Sequence, residues 1–253
     1  MTETLVVTRT RNRNDFLPRA INSVLNQTVS DWHHVIVNDG GDNFQIEETL
    51  APFIERYAGR ITVINNSVSK GMEAASNIGI SSVNSKYIAI HDDDDSWNPK
   101  FLEEMIIFIK RFQVEGVVCH VTQIFEVKED SEITELWARY YNPDLFVCNL
   151  NVFKLRNQFL PISFLFTREA YIDLEGFDED FKVCGDWDFH YRFITKFSIK
   201  VLRKRLANYH TRIKNESVKD KEWLNSSHDQ ITHNLYKTHF QDKFSLKSES
   251  LYL

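Results

Sequence analysis

At 253 residues and 42% apolar content, the chain can fill one large α/β core, which excludes global disorder. Thirty basic against thirty-six acidic residues leave a formal net charge of −6, which argues against a protein that coats nucleic acid or an anionic membrane, while a local basic site stays open. Three scattered cysteines, Cys119, Cys148 and Cys184, make neither a disulfide framework nor a paired-cysteine metal motif, so a reducing cytoplasm is the expected location.

The opening residues lack a basic segment followed by a long apolar one. No uninterrupted apolar run approaches the roughly 18 residues of a membrane span. Neither secretion nor insertion is expected, and membrane contact is limited to a peripheral association at the inner face.

The first half alternates strand-like and helix-like periods. TLVVT (residues 4–8) predicts a buried strand, and Leu17, Ala20, Ile21, Val24 and Leu25 then recur at helical spacing behind Asn14 or Asp15 as N-cap. HHVIVND (33–39) predicts a second strand, Ile46, Leu50, Ile54 and Tyr57 a second helix, and ITVIN (61–65) a third strand. His33 and His34 on that second strand read as alternating between core and surface without chemistry. MEAASNIGISSV (72–83) reads as a short helix, and YIAI (87–90) as a fourth strand. Pro99 opens a helix that carries Phe101, Leu102, Met105, Ile106 and Ile109 on one side.

This alternation predicts an α/β fold with a mainly parallel, doubly wound sheet. Longer strand-like and irregular stretches follow from EGVVCHVTQIFEV (115–127) to about residue 165. A helix is expected over 186–196, a strand at SIKVL (198–202), and a polar extension with a helix near HDQITHNLYKTHF (228–240) from about residue 211. Ligands of open α/β sheets sit outside the carboxyl ends of the strands. Thr10 to Asn12, Asn38 to Asp42 and Asp92 to Asp95 therefore converge on one edge.

IAIHDDDDSW (88–97) sets four aspartates between a buried strand and a tryptophan. A solvated acidic loop is one reading. A calcium loop is another, because Asp92, Asp94, Ser96, Asn98 and Glu103 fall at EF-hand spacing, but Trp97 stands where the sharp turn needs glycine. The position at a strand end favours a third: a hard divalent cation, Mn2+ or Mg2+, shared between carboxylates and a diphosphate.

Four stretches in this order, VVTRTRNRNDFLPRAINSVLNQTVSDWHHVIVNDGG, KGMEAASNIGI, YIAIHDDDDSWNP and LEGFDEDFKVCGDWDFHYRF, resemble the inverting nucleotide-sugar glycosyltransferases of family 2. That family has the A-type glycosyltransferase fold with a Rossmann-like nucleotide-binding half. The resemblance implies one glycosyltransferase domain over 1–210, with a nucleotide-sugar-binding half at 1–110 and an acceptor-binding half at 111–210, followed by the extension at 211–253.

It further implies that Asp39 meets the base of a uridine-type nucleotide, with Thr10, Arg11 and Asn12 lining the pocket and Asn77 in the substrate-binding set. Asp94 would be the direct metal ligand. Asp92 and Asp93 would support metal, ribose or sugar, and Asp186 would be the general base. The sequence departs from the family at Arg9, where proline is frequent; at Arg11, where an aromatic residue often stacks; and at Asn38, Ser76 and Gly185, which replace an aspartate, an arginine and an acidic residue.

The implied reaction is metal-dependent inverting transfer of one sugar from a nucleoside-diphosphate sugar, UDP-linked, to a hydroxyl of a glycan or lipid-linked glycan in cell-surface polysaccharide synthesis. A non-catalytic calcium- or sugar-binding module is the alternative. Asp186 would also serve as a helix cap in GDW, and Asp188 is the second choice for the base. His210 and Arg212 read as part of a surface loop of mixed charge, with closure over the diphosphate as the other reading. WARYYNPDLF (137–146) suits core packing, an interface or stacking on an acceptor sugar.

Overall fold

The structure, a computed structural model, describes residues 2–129, 132–213 and 230–244. Strand β1 (Thr2–Thr10) leads into helix α1 (Leu17–Leu25), then β2 (Trp32–Asp39), α2 (Asn43–Leu50), α3 (Ile54–Tyr57), β3 (Ile61–Asn66), α4 (Met72–Ser82) and β4 (Ser85–Asp92). The chain continues through β5 (Ser96–Trp97), α5 (Phe101–Phe112), β6 (Gly116–Glu129), β7 (Glu132–Tyr141), α6 (Leu150–Phe153), β8 (Phe164–Thr167) and α7 (Arg168–Asp173). It ends in α8 (Gly185–Lys196), β9 (Ile199–Arg212) and α9 (Gln230–Lys243).

One sheet joins the strands in the order β3-β2-β1-β4-β8-β6-β9-β5, with β7 paired to β6. The strands β3, β2, β1 and β4 run parallel, as do β6 and β9. Strand β8 is inserted antiparallel between β4 and β6, and β5 and β7 also pair antiparallel. The expected α/β class with its mainly parallel, doubly wound sheet is the one observed.

The period of two along each strand decides which core a side chain enters. Val6, Ile36, Ala89, Val117 and Leu165 point to the face covered by α1 and α5, against Leu17, Ile21, Phe101 and Met105. Leu5, Val7, Val35, Ile88, Val118 and Phe166 point to the other face, against Ala75 and Ile80 of α4 and Phe189 and Phe193 of α8. Helix α4 approaches so closely that a Cβ on Gly79 would lie 2.5 Å from Val7 Cγ1.

Several sequence expectations are corrected at element ends. The N-cap of α1 is Phe16, with no side-chain cap and Pro18 in the first turn, not Asn14 or Asp15. The second helix is broken into α2, a 3₁₀ turn at Ala51–Phe53 and α3, because Pro52 has no N–H to continue the ladder. Pro99 lies ahead of α5, whose N-cap is Lys100. The polar tail begins later than expected: β9 runs on to Arg212, so His210 and Arg212 are buried strand residues and not a surface loop. Much of that tail, residues 214–229 and 245–253, lies outside the described residues. No described helix is long and apolar enough to cross a membrane.

Candidate active site

The carboxyl ends of β1, β2 and β4 meet the N-terminus of α8 and the far end of β9. The loop after β1 turns at Asn12, whose φ of 53° is tolerated because its Oδ1 accepts from Asp42 N at 3.0 Å. This ties the first two strand ends together. Thr10 is buried and Arg11 is exposed.

Asp39 is fully engaged by the loop that follows β3. It accepts from Asn66 Nδ2 at 2.8 Å, Ser69 Oγ at 2.7 Å, Gly71 N at 2.9 Å and Lys70 N at 2.9 Å. Burial alone would raise its pKa, but these donors outweigh it and hold the carboxyl below its ordinary value.

The four aspartates are met mainly by arginines. Arg9 donates to Asp92, and Arg13 donates to Asp93 Oδ1 at 2.9 Å and to Asp94 Oδ2 at 2.6 Å. Arg212 donates to the same Asp94 oxygen, and Arg19 donates to the Asp94 carbonyl. Asp95 accepts from His210 N at 2.9 Å. Behind them Glu126 takes Arg19 at 2.7 and 3.1 Å and His210 Nδ1 at 3.0 Å.

Burial would raise the pKa of Asp94 and Glu126. Arg13 and Arg212 nevertheless hold Asp94 below its usual value, and His210 and Arg19 bring Glu126 down to about 2. Burial pushes Asp93 up to about 7 and Asp95 well above the usual range. Among the described residues the carboxyls of Asp92 to Asp95 and Glu126 outnumber the guanidiniums of Arg9, Arg13, Arg19 and Arg212, an excess that favours protonation or a cation.

Helix α8 starts at Gly185 with Cys184 as N-cap and no side-chain cap hydrogen bond, so Asp186 is not the expected cap; it lies in the first turn, where its charge suits the helix dipole. It is partly exposed, and Asn157 Nδ2 donates to its Oδ2 at 2.8 Å. His190 Nδ1, 3.1 Å from Asn157 Oδ1, orients that amide, and burial lowers the His190 pKa to about 3, so the ring is neutral. Burial raises the pKa of Asp186, with Asp92 contributing. A carboxylate that is partly open and binds protons more readily than usual has the properties of a general base. Asp188, in contrast, is fully buried and clamped by Arg192 at 2.7 Å and Lys243 at 2.7 Å.

Asn77 lies on α4 and faces the loop after α7. Its amide accepts from Tyr171 Oη at 2.8 Å and Phe177 N at 3.0 Å and donates to Phe177 O and Glu179, pinning the loop after α7 to α4. Trp137 stacks on Phe125 at 3.7 Å and stays half-exposed on the edge strand β7. Sequence reasoning missed Arg19, Glu126 and Asn157. Each is an isolated residue whose partners lie on other elements, so no local spacing marks it.

The family profile described as Glycosyl transferase family 2 matches residues 5–174, and the chain belongs to that family. The chain is 26% identical over 198 residues to an uncharacterized glycosyltransferase, YwdF, of Bacillus subtilis, covering 77% of this chain and 69% of that protein. Other curated relatives are matched over about a third of their own length.

Among solved structures, S. aureus TarS 1-349 in complex with UDP-GlcNAc superposes with a TM-score of 0.66 at 16% identity, covering 98% of this chain and 76% of that one. The mannosyltransferase PcManGT from Pyrobaculum calidifontis, in complex with GDP-Man and Mn2+, gives a TM-score of 0.66 at 14% identity, covering 98% and 66%. These likenesses establish the A-type glycosyltransferase fold.

Among the described residues no group of three or more His, Cys, Asp or Glu side chains is placed to hold a metal ion. Mg2+ and Mn2+ need only one or two carboxylates when waters and phosphate oxygens complete the shell. Asp92 and Asp94 carry such hard oxygens, engaged here by Arg9 and by Arg13 with Arg212, so a cation there would have to share or displace those guanidiniums.

Proposed function

We propose that this chain is a metal-dependent inverting glycosyltransferase that moves one sugar from a nucleoside-diphosphate sugar, UDP-linked, to a hydroxyl of a glycan or lipid-linked glycan acceptor in polysaccharide synthesis. The observation that carries the reading is Asp186: a partly open carboxylate at the start of α8, held by Asn157, with proton affinity raised by burial and by Asp92 of the aspartate run. Family membership and neighbours that bind UDP-GlcNAc or GDP-Man support a nucleotide-sugar donor. The acceptor class is taken from the family.

In this reading Asp186 accepts the proton of the acceptor hydroxyl as its oxygen bonds to the sugar carbon and the bond from that carbon to the diphosphate breaks. Such a base contributes about 10² to 10⁴-fold. Asp94 and Asp92 would hold Mn2+ or Mg2+, which when bound stabilises negative charge on the departing diphosphate. Thr10, Arg11 and Asn12 line the nucleotide side, Asp93 supports the ribose or sugar, and Asp39 meets the base once its loop donors share it. Residues 1–110 form the donor half and 111–210 the acceptor half.

Release of nucleoside diphosphate is measured from a panel of nucleotide sugars with manganese. Turnover of one donor supports the reading. Binding of calcium or glycan with no turnover of any donor would instead favour a non-catalytic module.

A further inference from the structure

The residue ahead of Asp186 is Gly185, buried at the first position of α8. Its backbone φ lies outside the left-handed region, so conformation does not demand glycine there. Space does: a Cβ on Gly185 would overlap the Glu73 carboxyl, lying 2.5 Å from its Cδ.

Glu73 stands in the first turn of α4 and is 3% exposed. Its Oε2 has no hydrogen-bond partner and lies 3.9 Å from Arg9, whose guanidinium is spent on Asp92 and on Ser76 Oγ at 3.2 Å. An acid at a helix N-terminus gains a little from the dipole, but a buried carboxyl oxygen left without a donor costs more than that contact returns. Packing alone would be served better by an apolar side chain. The acid therefore stands beside Asp186 with one oxygen unpartnered.

We propose that Glu73 is a positioning residue for Asp186, seated from α4 in the space that Gly185 leaves, where it fixes the start of α8 and sets the charge around the base. This rests on the assignment of Asp186 as base. The charged groups around Glu73 are Arg9 on β1, Asp92 on β4, and Asp186 and Asp188 on α8, the last neutralised by Arg192 and Lys243. Burial, only partly offset by Arg9, raises the Glu73 pKa to about 8, with Asp186 adding to the shift. Below that pH Glu73 carries a proton, and above it a negative charge strengthens its neighbour as a base.

Three variants test this: Glu73→Gln, Glu73→Ala, and Glu73→Ala combined with Gly185→Glu, which returns a carboxyl from the other helix. The readouts are the carbon-13 carboxyl titration of Asp186 in the free protein, kcat and donor KM against pH, and thermal melting.

Glu73→Gln is expected to keep donor KM and to lose an inflection in kcat near pH 8. Glu73→Ala should shift the Asp186 titration and lower kcat about 10- to 100-fold with donor KM unchanged. The double variant should recover both at least halfway. The proposal is overturned if Glu73→Ala leaves the Asp186 titration unmoved, or if melting and kcat fall together with no recovery in the double variant. If Glu73→Ala does not fold, Glu73→Gln decides: retention of the inflection overturns the proposal. If the wild type transfers no sugar from any donor, the functional reading fails, while the Asp186 titration still decides the role of Glu73.

Discussion

Arg212, the last residue of β9, donates to the carboxylate of Asp94 from 118 positions along the chain. Both are buried, and Arg13 reaches the same oxygen at 2.6 Å. Removing one partner of a buried pair costs about 3–5 kcal/mol because the remaining charge is stranded. Since Arg13 stays on Asp94, Arg212→Ala should fall at the lower end of that range in urea denaturation. Arg212→Lys should recover only part, because a point charge cannot reproduce the planar fork. An unchanged midpoint for Arg212→Ala would show that the pair does not hold β9 to the aspartate turn.

Asp186→Asn should remove the proton acceptor while leaving the side chain's size. We expect kcat to fall about 10² to 10⁴-fold with nucleotide binding retained, measured by transfer assay and by calorimetry with UDP. Asp94→Ala should weaken binding of the metal and diphosphate as well. Full turnover by Asp186→Asn would remove Asp186 from the role of base.

Glu126 gives the fold an acid-sensitive element. Its folded pKa, about 2, lies below its ordinary value of 4.5, so its stabilising contribution is complete above pH 4.5 and is lost as the pH falls toward 2. One pH unit of separation is worth about 1.4 kcal/mol. The stability gap between wild type and Glu126→Gln, from denaturation at several pH values, should therefore be at most about 3 kcal/mol at pH 6 and close between pH 4.5 and 2. A gap independent of pH would contradict the ion cluster as its source.

Gly40 follows Asp39 with a φ of +78°, and a Cβ there would overlap Ser69 N and lie 2.8 Å from Val68 C. Gly40→Ala therefore strains the backbone and pushes away the loop that holds Asp39. A loss of about 1–3 kcal/mol is expected, with weaker donor binding alongside it. Wild-type melting and donor affinity would show that the loop adapts freely.

The strand and helix rhythm of residues 4–112 was legible because it is local. Val6 and Ile36 face one core and Val7 and Val37 the other by the period of two alone. The three strand ends and their ligand edge follow from that alternation, and Asp186 at the head of α8 from its GDW setting. Helix ends were less legible. Pro52 breaks a stretch whose periodicity predicts one helix, and Phe16, with no capping side chain, holds the N-cap position of α1 that side-chain chemistry assigns to Asn14 or Asp15.

The sequence by itself determined the α/β class, the edge where polar clusters gather, and which acids stand in the aspartate run. Only the tertiary structure decided what those acids touch. Arg9, Arg13, Arg19 and Arg212 come from separate places in the chain to the same turn, and the carboxyl of Glu73 fills a gap on another helix. The physical reason is range. Periodicity is written between neighbours, whereas neutralising buried charge is a condition on everything within a few ångströms, whatever its distance in sequence.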